Sequence, residues 1–382
     1  MIVKQECKKV VFLTGTRADF GKLKSLMATL QDDSSFEVHV FVTGMHMLAK
    51  YGYTCLEVER AQFHNIYKFI NQNKNDSMDQ ILSKTISGLS DFVKEISPDL
   101  LIVHGDRVEA LAGAIVGSLN HIQTCHIEGG EVSGTVDELI RHAVTKLSHV
   151  HFVANEVASS RLTQLGESKD TIHVIGSPDV DVMDSHTLPE IDEVKHYYDF
   201  DFKEYGVLIF HPVTTEVDDL PEQIRIVVDA VMSSGHNYIV IFPNNDLGTD
   251  IILEEYERLN GCSRFKVYPS MRFEYFLVLL KYSQFIIGNS SAGVREAPHF
   301  GVPAINIGSR QHNRVKNNLI IDIPPDSQEI IKALESASDL PHETVSVFGD
   351  GNSTSRFYDI VKSESFWRKS TQKHFVDLST NE

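Results

Sequence analysis

Residues 100–127 read LLIVHGDRVEALAGAIVGSLNHIQTCHI. A solid apolar run (Leu100–Val103) is followed by a polar turn, a helical stretch (Arg107–Leu119) and a second apolar run (Thr124–Ile127). The first run does not alternate polar with apolar residues, as a half-exposed strand would, so it reads as a strand buried on two faces, and the second, of matching length, reads as its neighbour. Two such strands joined by a helix are parallel neighbours linked by a right-handed crossover. The pattern extends both ways. Upstream lie Val10–Leu13, an amphipathic stretch at Leu23–Leu30, Val38–Val42 and a long helix, Ile81–Ile96, ended near Pro98. Downstream come helix Val136–Leu147, Val150–Val153 and Ile172–Ile175. After a polar stretch with Pro and Asp, Ser177–Tyr205, the alternation restarts. Strands are expected at Val207–Phe210, Tyr238–Phe242, Phe265–Tyr268, Phe285–Ile287 and Pro303–Ile307, with helices Pro221–Met232, Ile251–Leu259, Arg272–Tyr282 and Ala292–Phe300 between them.

The expectation is an α/β protein of two doubly wound, Rossmann-like domains, residues 1–176 and 206–353, joined by a linker at 177–205. A C-terminal segment, 354–382, holds a helix near Thr354–Ser363 that crosses back to the first domain. In open α/β sheets ligands sit outside the carboxyl ends of strands, which predicts an active site in the interdomain cleft. The chain length of 382 residues allows two or three domains. With 35 basic and 53 acidic side chains the net charge is −18, which disfavours a nucleic-acid partner because phosphate contacts need a clustered basic face. No apolar run approaches the 18 residues of a membrane span, and Val10–Leu13 is too short for a signal-peptide core. Cys7, Cys55, Cys125 and Cys262 form no C-x-x-C pair; the reading is a reduced, cytoplasmic protein without structural zinc.

The chemistry-bearing residues fall at expected strand ends. Thr14-Gly15-Thr16-Arg17-Ala18-Asp19 follows the first strand. The helix opening there offers backbone amides to an anion, and Arg17 can add a bidentate phosphate contact; the alternative is an ordinary turn with a surface arginine. His104-Gly105-Asp106-Arg107 sets a carboxylate at a strand end with Glu109 nearby, or else Asp106 merely caps a helix. In His126-Ile127-Glu128-Gly129-Gly130-Glu131, His126 and Glu128 point the same way if the chain stays extended. Asp137, Glu138 and Arg141 then open the next helix. Asp106, Glu128 and Asp137 can thus converge for acid–base work; His-x-Glu can instead hold a divalent ion. His211-Pro212-Val213-Thr214-Thr215-Glu216 places a histidine at the first strand end of the second half. Gly288-Asn289-Ser290-Ser291-Ala292-Gly293-Val294-Arg295-Glu296 is a Gly/Ser turn opening a helix: its amides and two hydroxyls suit phosphate, and Glu296 suits a ribose diol. Arg310-Gln311-His312-Asn313-Arg314-Val315-Lys316 is a basic loop beyond the next strand, and a solvated surface loop reads the same way.

GTRADFGKL (15–23), HGDR (104–107), HIEGGEVSGTVDE (126–138), HPVTTE (211–216) and GNSSAGVREAPHFGVPAINIGSRQ (288–311) resemble the hydrolysing UDP-N-acetylglucosamine 2-epimerases of bacterial sialic-acid biosynthesis, in consistent order from about residue 8 to 365. The resemblance implies the GT-B-like fold of two-domain nucleotide-sugar glycosyltransferases, with UDP mainly on the second domain. It implies conversion of UDP-N-acetylglucosamine and water to N-acetylmannosamine and UDP, by anti elimination to 2-acetamidoglucal and then hydration. No metal or redox cofactor is implied, and a homo-oligomer (dimer or tetramer) is. By motif match Asp106, Glu128, Asp137 and His211 correspond to catalytic groups, and Arg17, Ser290, Ser291, Glu296 and Arg310 to UDP contacts. Non-hydrolysing bacterial 2-epimerases usually carry Glu where Asp137 stands and a more basic run after the histidine; the shorter Asp137 is expected to leave room for water at C1. Three alternatives remain: a hydrolysing 2-epimerase of UDP-2,4-diacetamido-2,4,6-trideoxyglucose on the legionaminic-acid route, a GT-B glycosyltransferase, and a non-catalytic nucleotide-sugar sensor.

Overall fold

A computed structural model describes residues 7–377, apart from 74–75, 312–313, 316, 338–339 and 341–342. The chain divides into two compact units. Unit 1 contains the residues up to Glu131, Asp137–Asp184, and the chain from Phe348 onward. Unit 2 contains Val132–Val136 and Ser185–Val347. The two units are of the same architectural type, each an all-parallel sheet with Rossmann-like winding, as in GT-B proteins.

Unit 1 holds β1 (Lys8–Thr14), β2 (Phe36–Val42), β3 (Asn65–Lys68), β4 (Leu100–His104), β5 (Gln123–Ile127), β6 (Val150–Val153) and β7 (Ile172–Val174). They form one seven-stranded sheet in the order β3-β2-β1-β4-β5-β6-β7, and every neighbouring pair is parallel. Unit 2 holds β8 (Gly206–Ile209), β9 (Tyr238–Ile241), β10 (Phe265–Tyr268), β11 (Phe285–Gly288), β12 (Ala304–Ile307) and β13 (Ile320–Ile323), ordered β10-β9-β8-β11-β12-β13. In both sheets the winding reverses beside the first strand. A crevice therefore opens at the carboxyl ends of β1 and β4 in unit 1, and of β8 and β11 in unit 2. Four of the five motif segments begin at those ends, and the fifth begins at the end of β5.

The solid strands are buried on both faces, as their composition requires. In unit 1 Val10 and Phe12 of β1, Val38 and Val40 of β2, and Leu100 and Ile102 of β4 share one core with Phe20, Leu23, Leu26, Met27 and Leu30 of helix Arg17–Gln31. Phe357, Val361 and Phe366, from the segment that follows unit 2, complete that core. On the other face, helix Met78–Ile96 lies against helix Val108–Leu119. Gly113 and Gly117 of the latter let it lie close to the sheet: a Cβ at either would fall under 3 Å from Val103 or Thr124.

Ser177–Tyr205, read as a linker, carries two helices, Pro178–Met183 and Ile191–Tyr197. The first is counted with unit 1 and the second with unit 2. The helix expected over Ala292–Phe300 is broken. A 3-10 turn, Ser291–Gly293, precedes a four-residue helix, Glu296–His299. Pro298 has no N–H to donate to the carbonyl of Val294, so a continuous helix cannot run through that position.

Candidate active site

In unit 1 the turn after β1 is closed on itself. Thr16 caps helix Arg17–Gln31 by accepting from the Asp19 amide at 3.2 Å, and the Asp19 carboxylate accepts in return from the amides of Gly15 (2.9 Å) and Thr16 (3.1 Å). The amides of Gly15 and Thr16 are therefore occupied by Asp19, which also supplies a negative charge at the helix N-terminus. Arg17 stands at the first helical position, half-buried.

Of the three carboxylates singled out from the sequence, Asp106 pairs directly with a buried cation, and Glu128 and Asp137 lie within electrostatic reach of it. Arg141, on helix Val136–Leu147 and 1 % exposed, pairs through Nη2 with Asp106 Oδ2, and its Nη1 donates to the Glu131 carbonyl at 3.3 Å. Burial acts to lower the Arg141 pKa, but the surrounding charges of Asp106, Glu131, Glu128 and Asp137 more than offset it and hold the guanidinium above its usual value. Asp106 thus acts as an ion-pair partner as well as standing beside a helix start, which Arg107 caps.

Glu128 departs from the extended geometry expected of it. Its φ is +67°, in the left-handed region, so the strand's alternation ends before it and it does not point with His126. A non-glycine residue held there costs about 1–3 kcal/mol, a strain typical of functional turns. Gly130 follows at φ +78°, where a Cβ would stand 2.4 Å from the Ala158 carbonyl. The Glu128 carboxylate is buried and receives Lys22 Nζ at 2.9 Å and Ser177 Oγ at 3.3 Å on Oε1, with His104 Nε2 3.4 Å from Oε2.

His126 has a different task from the metal ligand considered above. It is fully buried; Nε2 lies 2.9 Å from the Gly105 carbonyl and Nδ1 3.0 Å from Thr145 Oγ1. A carbonyl only accepts, so Nε2 carries the proton and Nδ1 accepts from the threonine. Burial pushes the pKa down to about 3, keeping the ring neutral. His126 is thus a strut between the turn bearing Asp106 and the helix bearing Asp137 and Arg141. Among the described residues no group of three or more His, Cys, Asp or Glu side chains is arranged to hold a metal ion. All four cysteines are free thiols, and no described helix is long and apolar enough to cross a membrane.

In unit 2 the ends of β8 and β11 are clamped together. The His211 amide donates to Asn289 Oδ1 at 2.6 Å, and Asn289 Nδ2 donates to the His211 carbonyl at 2.8 Å. The Asn244 amide donates to His211 Nδ1 at 3.0 Å, which puts the ring proton on Nε2. Arg310 Nη1 (3.2 Å) and Gln311 Nε2 (3.0 Å) both donate to the Asn289 carbonyl. They brace the turn that presents Ser290 and Ser291, both half-buried. Glu296 is buried at the start of the short helix. Gly134, in the five-residue segment counted with unit 2, donates its amide to the Arg310 carbonyl at 3.0 Å. His312, Asn313 and Lys316 of the basic loop lie outside the described residues.

Sequence reasoning singled out neither Lys22, Ser177 nor Asp179. Lys22 sits among Phe20, Leu23, Leu26 and Met27 on the buried side of its helix. A lysine nine-tenths out of water marks a buried ion pair; its place among apolar residues was visible in the sequence, its partners were not.

Paired Rossmann-ordered sheets, with polar turns at both points where the winding reverses, define a protein of the GT-B-like class. A family model of UDP-N-acetylglucosamine 2-epimerase matches residues 28–362, and the chain belongs to that family. It is 48% identical over 376 residues to the UDP-N-acetylglucosamine 2-epimerase of Neisseria meningitidis serogroup B, covering 97% of this chain and 100% of that one. It is 33% identical over 361 residues to the UDP-N,N'-diacetylbacillosamine 2-epimerase (hydrolyzing) of Legionella pneumophila, covering 93% and 96% of the two. The crystal structure of Methanocaldococcus jannaschii UDP-GlcNAc 2-epimerase in complex with UDP-GlcNAc and UDP superimposes with a TM-score of 0.78 over 92% of this chain and 99% of that one; at 22% identity this shows a common fold.

Proposed function

We propose that the protein is a hydrolysing 2-epimerase that converts UDP-N-acetylglucosamine and water to N-acetylmannosamine and UDP, supplying the sugar precursor of sialic acid. The observation that carries this reading is the ion pair of Asp106 with the buried guanidinium of Arg141, on which the charges of Glu128 and Asp137 also act. The C2–H of the sugar is weakly acidic, so its removal needs a fixed carboxylate, and the returning proton needs a second group. A carboxylate among these three takes the C2 proton during anti elimination, and another directs hydration of the 2-acetamidoglucal. Expelling a diphosphate requires donors aimed at the developing charge. In unit 2 the Nε2–H of His211 and the hydroxyls of Ser290 and Ser291 are suited to that task, with Arg310 adding positive charge and Glu296 taking the ribose diol; Arg17 of unit 1 is the further phosphate contact proposed. No step needs a metal or redox cofactor, because one proton leaves C2 and another returns. Asp137, shorter than glutamate, leaves room for water at C1. The proposal includes operation in the cytoplasm as a homo-oligomer, which light scattering tests.

A second reading keeps the chemistry and changes the sugar to UDP-2,4-diacetamido-2,4,6-trideoxyglucose, the substrate class named for the Legionella relative. Proton NMR of products from both UDP-sugars decides. The first reading expects free N-acetylmannosamine and UDP from UDP-N-acetylglucosamine at the higher kcat/KM. Faster turnover of the diacetamido sugar establishes the second, and a product still carrying UDP refutes hydrolysis.

A further inference from the structure

One buried ammonium serves two carboxylates in unit 1. Lys22 Nζ lies 2.9 Å from Glu128 Oε1 and 3.3 Å from Asp179 Oδ2, with the three side chains 9%, 6% and 1% exposed. Asp179 is firmly placed. It stands in the first turn of helix Pro178–Met183, which has Pro178 at its start. Two residues on, Asp181 accepts from the amides of Ser353 (2.9 Å) and Thr354 (2.7 Å), tying that helix to the next one, Ser353–Lys362. The neighbouring residue Ser177 reaches Glu128 directly. The start of this helix therefore presents two polar groups to one cluster, its N-cap residue Ser177 to Glu128 and Asp179 of its first turn to Lys22.

A buried carboxylate paired one-to-one with an ammonium is held ionised and is a poor base, since protonation would strand the cation. A second anion on the same ammonium offsets that effect. The charged and titratable groups facing Glu128 include Lys22 from helix Arg17–Gln31, His104 from β4, Arg141 from helix Val136–Leu147 with Asp106 paired to it, and Asp179 from helix Pro178–Met183. Of these, Asp179 supplies the negative charge that competes for Lys22.

We propose that Asp179 is a positioning residue for Glu128: by sharing Lys22 it fixes where the Glu128 carboxylate sits and keeps it basic enough to exchange a proton with the sugar. This rests on the role given to Glu128 above. Asp179 itself is not a catalytic residue, since it acts through Lys22.

Asp179→Asn keeps the shape and removes the charge. Its test has two arms. In the first, the carboxyl 13C resonance of Glu128, assigned with Glu128→Gln, is titrated in wild type and in Asp179→Asn. The midpoint is expected to fall by about one pH unit; an unchanged or raised midpoint overturns the proposal. In the second, kcat and KM for UDP-N-acetylglucosamine are followed against pH. The limb that Glu128→Gln abolishes is expected to move down by about one pH unit, with plateau kcat reduced about threefold to tenfold and KM within about twofold. Asp179→Glu, which restores the charge, returns the limb toward wild type. A loss of kcat with the limb in place, not restored by Asp179→Glu, shows a merely structural role and overturns the proposal. If wild type releases no UDP from either sugar, the hydrolysing reading fails, and the NMR arm still decides whether Asp179 sets the basicity of Glu128. Asp179→Ser, smaller and neutral, makes the same measurements should the asparagine variant not fold.

Discussion

Replacing His126 by phenylalanine tests the strut that joins the two acid-bearing elements of unit 1. The substitution keeps a planar ring and removes both nitrogens. The Gly105 carbonyl and Thr145 hydroxyl, both buried, lose their partner. An unsatisfied buried polar group costs about 1–3 kcal/mol, so the variant is expected to be about 2–6 kcal/mol less stable. Thr145→Val added to His126→Phe removes one orphaned group and recovers about 1–3 kcal/mol, a coupling that independent sites would not show. The pH dependence has a definite sign. Folded His126 titrates at about 3, far below the ordinary histidine value of 6.5. Below pH 6.5 the unfolded chain takes up a proton that the folded chain refuses, so this residue makes wild type lose stability as pH falls, by about 1.4 kcal/mol per pH unit until about pH 3. His126→Phe lacks that loss, so the gap between the two proteins narrows by roughly 2 kcal/mol between pH 6.5 and 5. Urea unfolding followed by fluorescence of Trp367, the sole tryptophan and a residue of unit 1, reads the stability of the correct unit. A variant as stable as wild type at pH 7.5, or a gap that does not change with pH, refutes the strut.

Gly288→Ala is expected to abolish folding of unit 2, since Gly288 has φ +132° and a Cβ there would lie 2.0 Å from the Ile209 carbonyl; circular dichroism and limited proteolysis check it. Lys373→Met removes an ammonium that donates to the carbonyls of Thr145 (3.2 Å), Lys146 (3.0 Å) and Ser148 (2.6 Å) at the end of helix Val136–Leu147 and to Glu167 Oε2 (2.5 Å). A loss of about 1.5–3 kcal/mol is expected in the same Trp367 assay. Glu128→Gln is expected to lower kcat by about 10²–10⁴ while leaving UDP affinity, measured by calorimetry, within about threefold of wild type. Ser290→Ala with Ser291→Ala is expected to weaken UDP binding by about tenfold, roughly one charge-assisted hydrogen bond, and to cost unit 2 about 0.5–2 kcal/mol because Ser290 caps the turn at the Ala292 amide.

The parts of the fold legible in the sequence were those with a strong local signal. Val10–Leu13 and Leu100–Val103 are solid apolar runs because their strands lie inside a sheet covered on both faces, and only strand length and type need be read to predict parallel pairing. Two of the four edge strands escaped: Asn65–Lys68 reads NIYK and Ile320–Ile323 reads IIDI, half-exposed stretches whose pairing is decided by tertiary contact. The capping box at Thr16 and Asp19 was written in the chain as an acid three positions after the cap, and it takes the amides of Gly15 and Thr16. For the site, the polar turns at strand ends were visible as motifs. Their partners were not. Lys22, Ser177 and Asp179 come from two helices distant in sequence, and only folding reveals that one ammonium meets both Glu128 and Asp179. The left-handed backbone of Glu128 was equally hidden, because the glycines after it, rather than Glu128 itself, carry the usual sequence signal for such geometry.

Hydrolytic epimerisation is tested most directly by running the reaction on UDP-N-acetylglucosamine in heavy water and recording proton NMR of the released sugar. The account predicts free N-acetylmannosamine with deuterium at C2, in step with UDP release. Free sugar that retains the original C2 hydrogen, or a UDP-linked product without free sugar, would contradict it.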